Sequence, residues 1–133
     1  MTQAGLTVLI VEDETIIRFT LAEVLEEAGY TVLEAANVLE AVAIIGKRDD
    51  ISAVISDIDM PGALSGFDLI WMIDRCQQHI ATILTSGGHL PGETDIPQST
   101  RFLAKPYCFD DVVGALVRSI DEKAGFAGRR ASL

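Results

Sequence analysis

A doubly wound α/β fold around a parallel five-stranded sheet is the class this sequence predicts, and three observations carry it. Five short apolar runs alternate with segments whose apolar residues recur at helical spacing. The runs are too uniformly apolar to leave a wet face, as in strands covered by helices on both sides. At 133 residues and 49% hydrophobic content, the chain has the length and composition of one domain with a proper core.

The first run, Leu6 to Val11, is strand-like and ends abruptly in Glu12, Asp13 and Glu14. Beyond it Ile16, Ile17, Leu21, Val24, Leu25 and Ala28 fall on one helical face, and Gly29 supplies the stop. Tyr30 to Ala35 predicts a second strand; Val38, Ala41, Val42 and Ile45 predict a second helix ending at Gly46. Ile51 to Ser56 is the third strand and delivers Asp57 to its C-terminal tip, ahead of the turn Met60-Pro61-Gly62. A third helix spans Phe67 to about Gln77 with Leu69, Ile70 and Ile73 inward, and Ile80 to Thr85 is a fourth strand that runs into Ser86-Gly87-Gly88. A helix should follow, but Pro91, Gly92 and Pro97 break the segment from His89 to Gln98 and leave at most a helical turn. Arg101 to Ala104 is a short fifth strand before Lys105-Pro106, and the last helix carries Phe109, Val112, Val113, Leu116, Val117 and Ile120. The domain is thus expected over residues 1–123, with a flexible tail over 124–133 that frays from Gly125. Right-handed crossovers leave few topologies, and the commonest is the flavodoxin-like order 2-1-3-4-5, here with a short or degenerate fourth helix.

The formal net charge of −10 weighs against direct binding of DNA or of an anionic membrane, and favours a basic protein face or a bound cation. No N-terminal stretch joins basic residues to a long apolar run, and no apolar run approaches about eighteen residues, so neither a signal peptide nor membrane insertion is predicted and the expected location is cytoplasmic. Cys76 and Cys108 lack metal-ligand and C-x-x-C spacing, which predicts reduced thiols in or near the core.

In a sheet of this kind ligands bind beyond the carboxyl ends of the strands, near the reversal of strand order. Those ends carry Glu12 and Asp13, then Asp57, then Thr85 or Ser86, then Lys105. Taken singly, Asp57 reads as a turn cap, Glu12 and Asp13 as helix-start acids, Ser86 as a turn residue and Lys105 as a surface charge. Together they converge on one crevice. Three carboxylates crowded there repel one another, so the site favours a raised pKa or a divalent cation, and Mg2+ suits one or two carboxylates completed by water and phosphate oxygens. With that charge damped, Asp57 can attack a phosphoryl group to form an aspartyl phosphate, while Ser86 and Lys105 donate to its oxygens.

The segments Val11-Glu12-Asp13-Glu14, Asp57-Ile58-Asp59-Met60-Pro61, Thr85-Ser86-Gly87 and Lys105-Pro106 resemble, in order and rough spacing, the receiver domain of two-component response regulators over about Leu6 to Lys123. The resemblance implies that Asp57 is the phosphoacceptor, Asp13 a direct Mg2+ ligand, Glu12 an acidic-pocket residue acting largely through water, and the backbone carbonyl of Asp59 another ligand. Lys105 would contact the phosphoryl group, with a cis Lys105–Pro106 bond. The family's switch pairs a hydroxyl after the fourth strand with an aromatic on the fifth. Phe102 matches the aromatic. Ser86 is favoured as the hydroxyl, because the residue after it should be small and Gly87 is smaller than Ser86; Thr85 is the alternative. Phosphorylation would draw the hydroxyl in and let Phe102 turn inward, unless Phe102 is simply a permanent core residue.

The resemblance also implies a sensor histidine kinase or histidine phosphotransfer protein as partner, an unknown downstream protein target, and no enzymatic activity beyond self-catalysed phosphorylation and dephosphorylation. The protein would be a free-standing receiver or one cut from a longer chain. Two departures stand out. The loop Gly62 to Gly66 is one residue longer than the common turn, as in some single-domain regulators and hybrid-kinase receivers, and the helix-poor segment after Ser86 remodels the usual dimer face. The terminal Arg129-Arg130-Ala131-Ser132 resembles a basic-directed kinase site but reads better as a solvated tail. Two other readings stay open. A phosphatase of the haloacid dehalogenase type shares an Asp-x-Asp motif like Asp57-Ile58-Asp59, though on its first strand and with a cap this chain lacks room for. A pseudo-receiver would bind partners without phosphorylation.

Overall fold

The computed structural model describes residues 3–88, 90–92 and 95–131, with side chains through residue 125. The elements are β1 (Thr7–Val11), α1 (Thr15–Glu27), β2 (Thr31–Ala35), α2 (Val38–Lys47), β3 (Ile51–Asp57), α3 (Gly66–Cys76), β4 (Ala81–Ser86), β5 (Arg101–Ala104) and α4 (Phe109–Ala131). All strand pairs are parallel, in the order β2-β1-β3-β4-β5 that the alternating pattern predicts.

Successive strand residues face opposite sides of a sheet, so each central strand feeds two cores. Val8 and Ile10 of β1, Ala53 and Ile55 of β3, and Ala81 and Ile83 of β4 pack under Leu21 and Leu25 of α1 and Val112 and Leu116 of α4. Leu9, Val11 and Val54 point the other way, against Val38, Ala41 and Ile45 of α2 and Leu69 and Ile73 of α3. Each of the large aliphatic side chains buried here contributes about 1.5–3 kcal/mol. The edge strands β2 and β5 differ from the uniformly covered strands expected, because each has a neighbour on one side only and keeps half-exposed positions.

Local signals set the helix ends. Gly29 has φ +103°, the left-handed geometry a glycine adopts freely, and stops α1 as predicted. Asn37 caps α2 by accepting the Glu40 N–H at 2.9 Å. Gly46, expected as the stop of α2, lies inside it. The helix runs on to Lys47, a good helix former, because one interior glycine costs only about 1 kcal/mol.

Other expectations are corrected. The backbone of α4 is helical as far as Ala131, beyond the last helix residue expected near Lys123. Ser132, placed in a solvated tail, lies outside the described residues, as does His89. Cys76 and Cys108 are exposed free thiols, not core residues: one ends α3 on its solvent side and the other sits in the loop before α4. Ile16, expected on the inward face of α1, is 82% exposed.

Between β4 and β5 no described residue is helical, which fits the two prolines. The segment is strapped down instead. The Trp71 indole N–H donates to the Asp95 carbonyl at 2.8 Å, Gly92 N–H donates to Asp95 Oδ2 at 2.8 Å, and Thr100 Oγ1 lies 2.7 Å from Thr82 Oγ1. Ile96 packs beside Phe102 on the small core of Ile58, Ile70 and Leu84. Among the described residues no helix is long and apolar enough to cross a membrane.

Candidate functional site

The backbone ladder fixes the site before any side chain contributes. Val11 pairs with Ser56, Asp57 with Thr85, and Ser86 with Ala104, so the carboxyl ends of β1, β3, β4 and β5 finish together. The ladder continues one residue further: Glu12 N–H donates to Ala35 O at 3.0 Å, Ile58 N–H to Thr85 O at 2.9 Å, and Lys105 N–H to Ser86 O at 2.8 Å. Glu12, Asp57 and Lys105 are therefore carried by hydrogen-bonded backbone rather than by free loops. The Lys105–Pro106 bond is cis.

Gly66 locks the far side of this frame. Its N–H donates to Ile58 O at 3.2 Å, and a Cβ built there would sit 2.2 Å from the backbone oxygen of Asp57. Only glycine lets the start of α3 approach the tip of β3 so closely.

One carboxylate oxygen from each of Glu12, Asp13 and Asp57 can gather within 4.8 Å, as the sequence predicts. Lys105 Nζ stands 2.7 Å from Glu12 Oε1 and 3.4 Å from Asp57 Oδ2. Burial pushes the Asp57 carboxyl above its ordinary range, against the pull of Lys105 and of the nearby Asp59 backbone. Glu12 is raised too, first by burial and further by the Asp57 charge, although Lys105 and the Glu14 N–H oppose this. Lys105 is held up: burial would lower it, but the Glu12 hydrogen bond and the charges of Asp57 and Glu12 outweigh that. Asp57 Oδ1 is buried and has no hydrogen-bond partner among the described residues.

The two hydroxyls separate. Strand alternation puts Thr85 on the same face as Asp57, its ladder partner. Ser86 shares a face with Leu84, which pairs with Phe102. Ser86 Oγ donates to Asp59 Oδ2 at 3.1 Å and accepts the Gly88 N–H at 3.2 Å. Phe102 is half-buried against Ile58, Ile70 and Leu84. Gly87 borders Lys105, and a Cβ there would make ordinary contact at 3.7 Å with that of Lys105.

Three contributions escape the sequence reading. Arg18 donates to the Glu12 carbonyl at 2.9 Å while pairing with Glu34 at 3.1 Å. Tyr107, its phenol pushed up by burial, stands within reach of the charges of Lys105, Glu12 and Asp57. Gly66 completes the set. Only Gly66 carries a signal in the chain, as a glycine directly before a helical run; the others depend on how α1 and the strand-end loops pack.

The family model for the response regulator receiver domain matches residues 8–116. This chain belongs to that family. The receiver is 31% identical over 124 residues to sporulation initiation phosphotransferase F of Bacillus subtilis, covering 88% of this chain and 95% of that protein. It is 32% identical to the C4-dicarboxylate transport transcriptional regulatory protein DctD of Rhizobium meliloti, covering 90% of this chain but only 26% of that longer protein. Among solved structures, the receiver is similar to the response regulator TrrA from Thermotoga maritima in complex with Mg(2+)-BeF, at 28% identity and a TM-score of 0.76, covering 85% and 97% of the two chains.

Proposed function

We propose that this receiver accepts a phosphoryl group on Asp57 from a phosphohistidine of a sensor histidine kinase or histidine phosphotransfer protein, in a Mg2+-dependent step that alters a protein-contact surface. One observation carries the reading: a buried carboxylate oxygen, Asp57 Oδ1, lacks a hydrogen-bond partner among the described residues, in an all-oxygen cluster with Glu12 and Asp13. An unpaired buried polar atom costs about 1–3 kcal/mol and is retained where a ligand is to satisfy it.

The donor set fits Mg2+, a hard cation that takes one or two carboxylates and keeps several waters. Asp13 and Asp57 would hold it directly, Glu12 largely through water, and Asp59 through its backbone carbonyl. When bound, the ion offsets the charge of the three carboxylates and lets an anionic donor approach. A carboxylate oxygen of Asp57 then attacks phosphorus; the P–O bond forms as the P–N bond breaks, and the imidazole nitrogen keeps the departing electron pair. Lys105, already between Glu12 and Asp57, donates to a phosphoryl oxygen. Ser86 supplies the hydroxyl donor, with Thr85 as the alternative, and Phe102 follows it inward. Water later hydrolyses the acyl phosphate and restores the carboxylate, so no separate substrate is turned over. The working unit is residues 1–123. Its setting is the cytoplasm, consistent with two free exposed thiols. Its charge of −10 favours a protein target over DNA.

The test is intact mass after incubation with acetyl phosphate and Mg2+, with EDTA in place of Mg2+, and with Asp57→Asn. A single phosphoryl adduct on the wild type that needs Mg2+ and is missing from the variant is the expected result. A wild type that gains no mass at any Mg2+ concentration would leave a phosphorylation-independent binding module as the function.

A further inference from the structure

Asp59 lies two residues past the phosphoacceptor and is hydrogen-bonded to the switch hydroxyl. Its carboxylate accepts the Ser86 hydroxyl at 3.1 Å. Ser86 is 1% exposed, and its oxygen also receives the Gly88 N–H at 3.2 Å, so the hydroxyl is oriented from both sides. A serine hydroxyl has one proton to donate. While Asp59 holds that proton, it is not available to an oxygen on Asp57.

We propose that Asp59 is a latch: its carboxylate holds the Ser86 hydroxyl in the unmodified receiver and yields it when phosphoryl oxygens on Asp57 compete. The inference rests on the phosphoacceptor reading and adds a regulator to that site. Both competing acceptors are anionic and both make charge-assisted hydrogen bonds, so the exchange is close to balanced and the strength of the Asp59 bond sets its position. Removing the Asp59 carboxylate breaks that one bond and shifts the equilibrium toward the form in which Ser86 Oγ faces Asp57. Side-chain substitution leaves the backbone beyond β3 intact, where Ile58 N–H donates to Thr85 O. Asp59 is thus a positioning residue that acts through Ser86.

The probe is beryllofluoride with Mg2+, titrated by calorimetry into wild type, Asp59→Ala, Asp59→Asn, Ser86→Ala and the Asp59→Ala/Ser86→Ala double variant, each first shown to be folded by a cooperative thermal melt. A folded wild type that binds no beryllofluoride overturns the phosphoacceptor reading and the latch with it. Given wild-type binding, the latch requires Asp59→Ala to bind about five- to tenfold more tightly. Asp59→Asn, which keeps a neutral acceptor, falls between the two. Adding Asp59→Ala to Ser86→Ala changes affinity by less than about twofold, since contacting residues are coupled and the coupling ends with the contact. Equal tightening in both Ser86 backgrounds would assign the effect to lost negative charge and overturn the latch while leaving the phosphoacceptor intact. No tightening in Asp59→Ala would do the same.

Discussion

Asp57 shows how one residue can be placed against its own solvation. Strand β3 runs into the core, and its last side chain is a carboxylate that burial drives toward the neutral form. A carboxyl whose pKa is raised by folding contributes favourably below its unfolded value, and that contribution is lost as pH rises through the folded value. Without Mg2+, Asp57→Asn therefore melts higher than the wild type at pH 7, and the gap closes below about pH 3, where the carboxyl is protonated in both states. A variant that melts lower at pH 7 would show that the Lys105 pairing outweighs desolvation. Lys105 follows the same sign at higher pH: its raised pKa adds stability that persists through neutral pH and disappears only as pH rises through the folded value. Gly66 gives a steric counterpart. Because a Cβ would lie 2.2 Å from Asp57 O, Gly66→Ala must move the tip of β3. Chemical denaturation should show a loss of about 1–3 kcal/mol, with phosphorylation by acetyl phosphate impaired beyond any unfolded fraction.

At the scale of elements, the unusual part is the connection from β4 to β5. Parallel strands need a long crossover, usually a helix, but here prolines leave a strap. Its hold comes from a few identifiable groups: the Trp71 indole on Asp95 O, the Thr82–Thr100 hydroxyl pair, and Ile96 beside Phe102. Trp71→Phe keeps the apolar surface and removes only the indole N–H, so global stability falls by about 1 kcal/mol or less. Local opening becomes more frequent, and amide exchange of residues 95–100 accelerates while that of β1 and β3 does not. Equal acceleration everywhere would mean that Trp71 supports the whole core and not the strap. The strap borders Phe102, which places the proposed switch aromatic against the least regular part of the fold.

For the whole molecule, a rigid sheet with two cores carries a site of concentrated like charge. Mg2+ binding only to the folded site stabilises by mass action, by about 2.7 kcal/mol at a hundredfold excess over Kd. The melting temperature of the wild type should therefore rise with Mg2+ and fall with EDTA, and Asp13→Ala should abolish the response. A response unchanged by Asp13→Ala would place the cation elsewhere on this acidic surface. Strand and helix order, the parallel sheet and its covering by helices were legible in the chain, because apolar periodicity is a local property that each segment carries alone. The candidates Glu12, Asp13, Asp57 and Lys105 were legible too, since in a parallel sheet a position at a strand's carboxyl end is already a position in the crevice. The sequence could not say which hydroxyl meets which carboxylate, that Asp59 receives Ser86, that Arg18 reaches the Glu12 carbonyl, or that Ile16 and both cysteines face solvent. Those depend on strand register, helix rotation and the close approach that Gly66 permits: distances between segments far apart in the chain, which only the packed molecule sets.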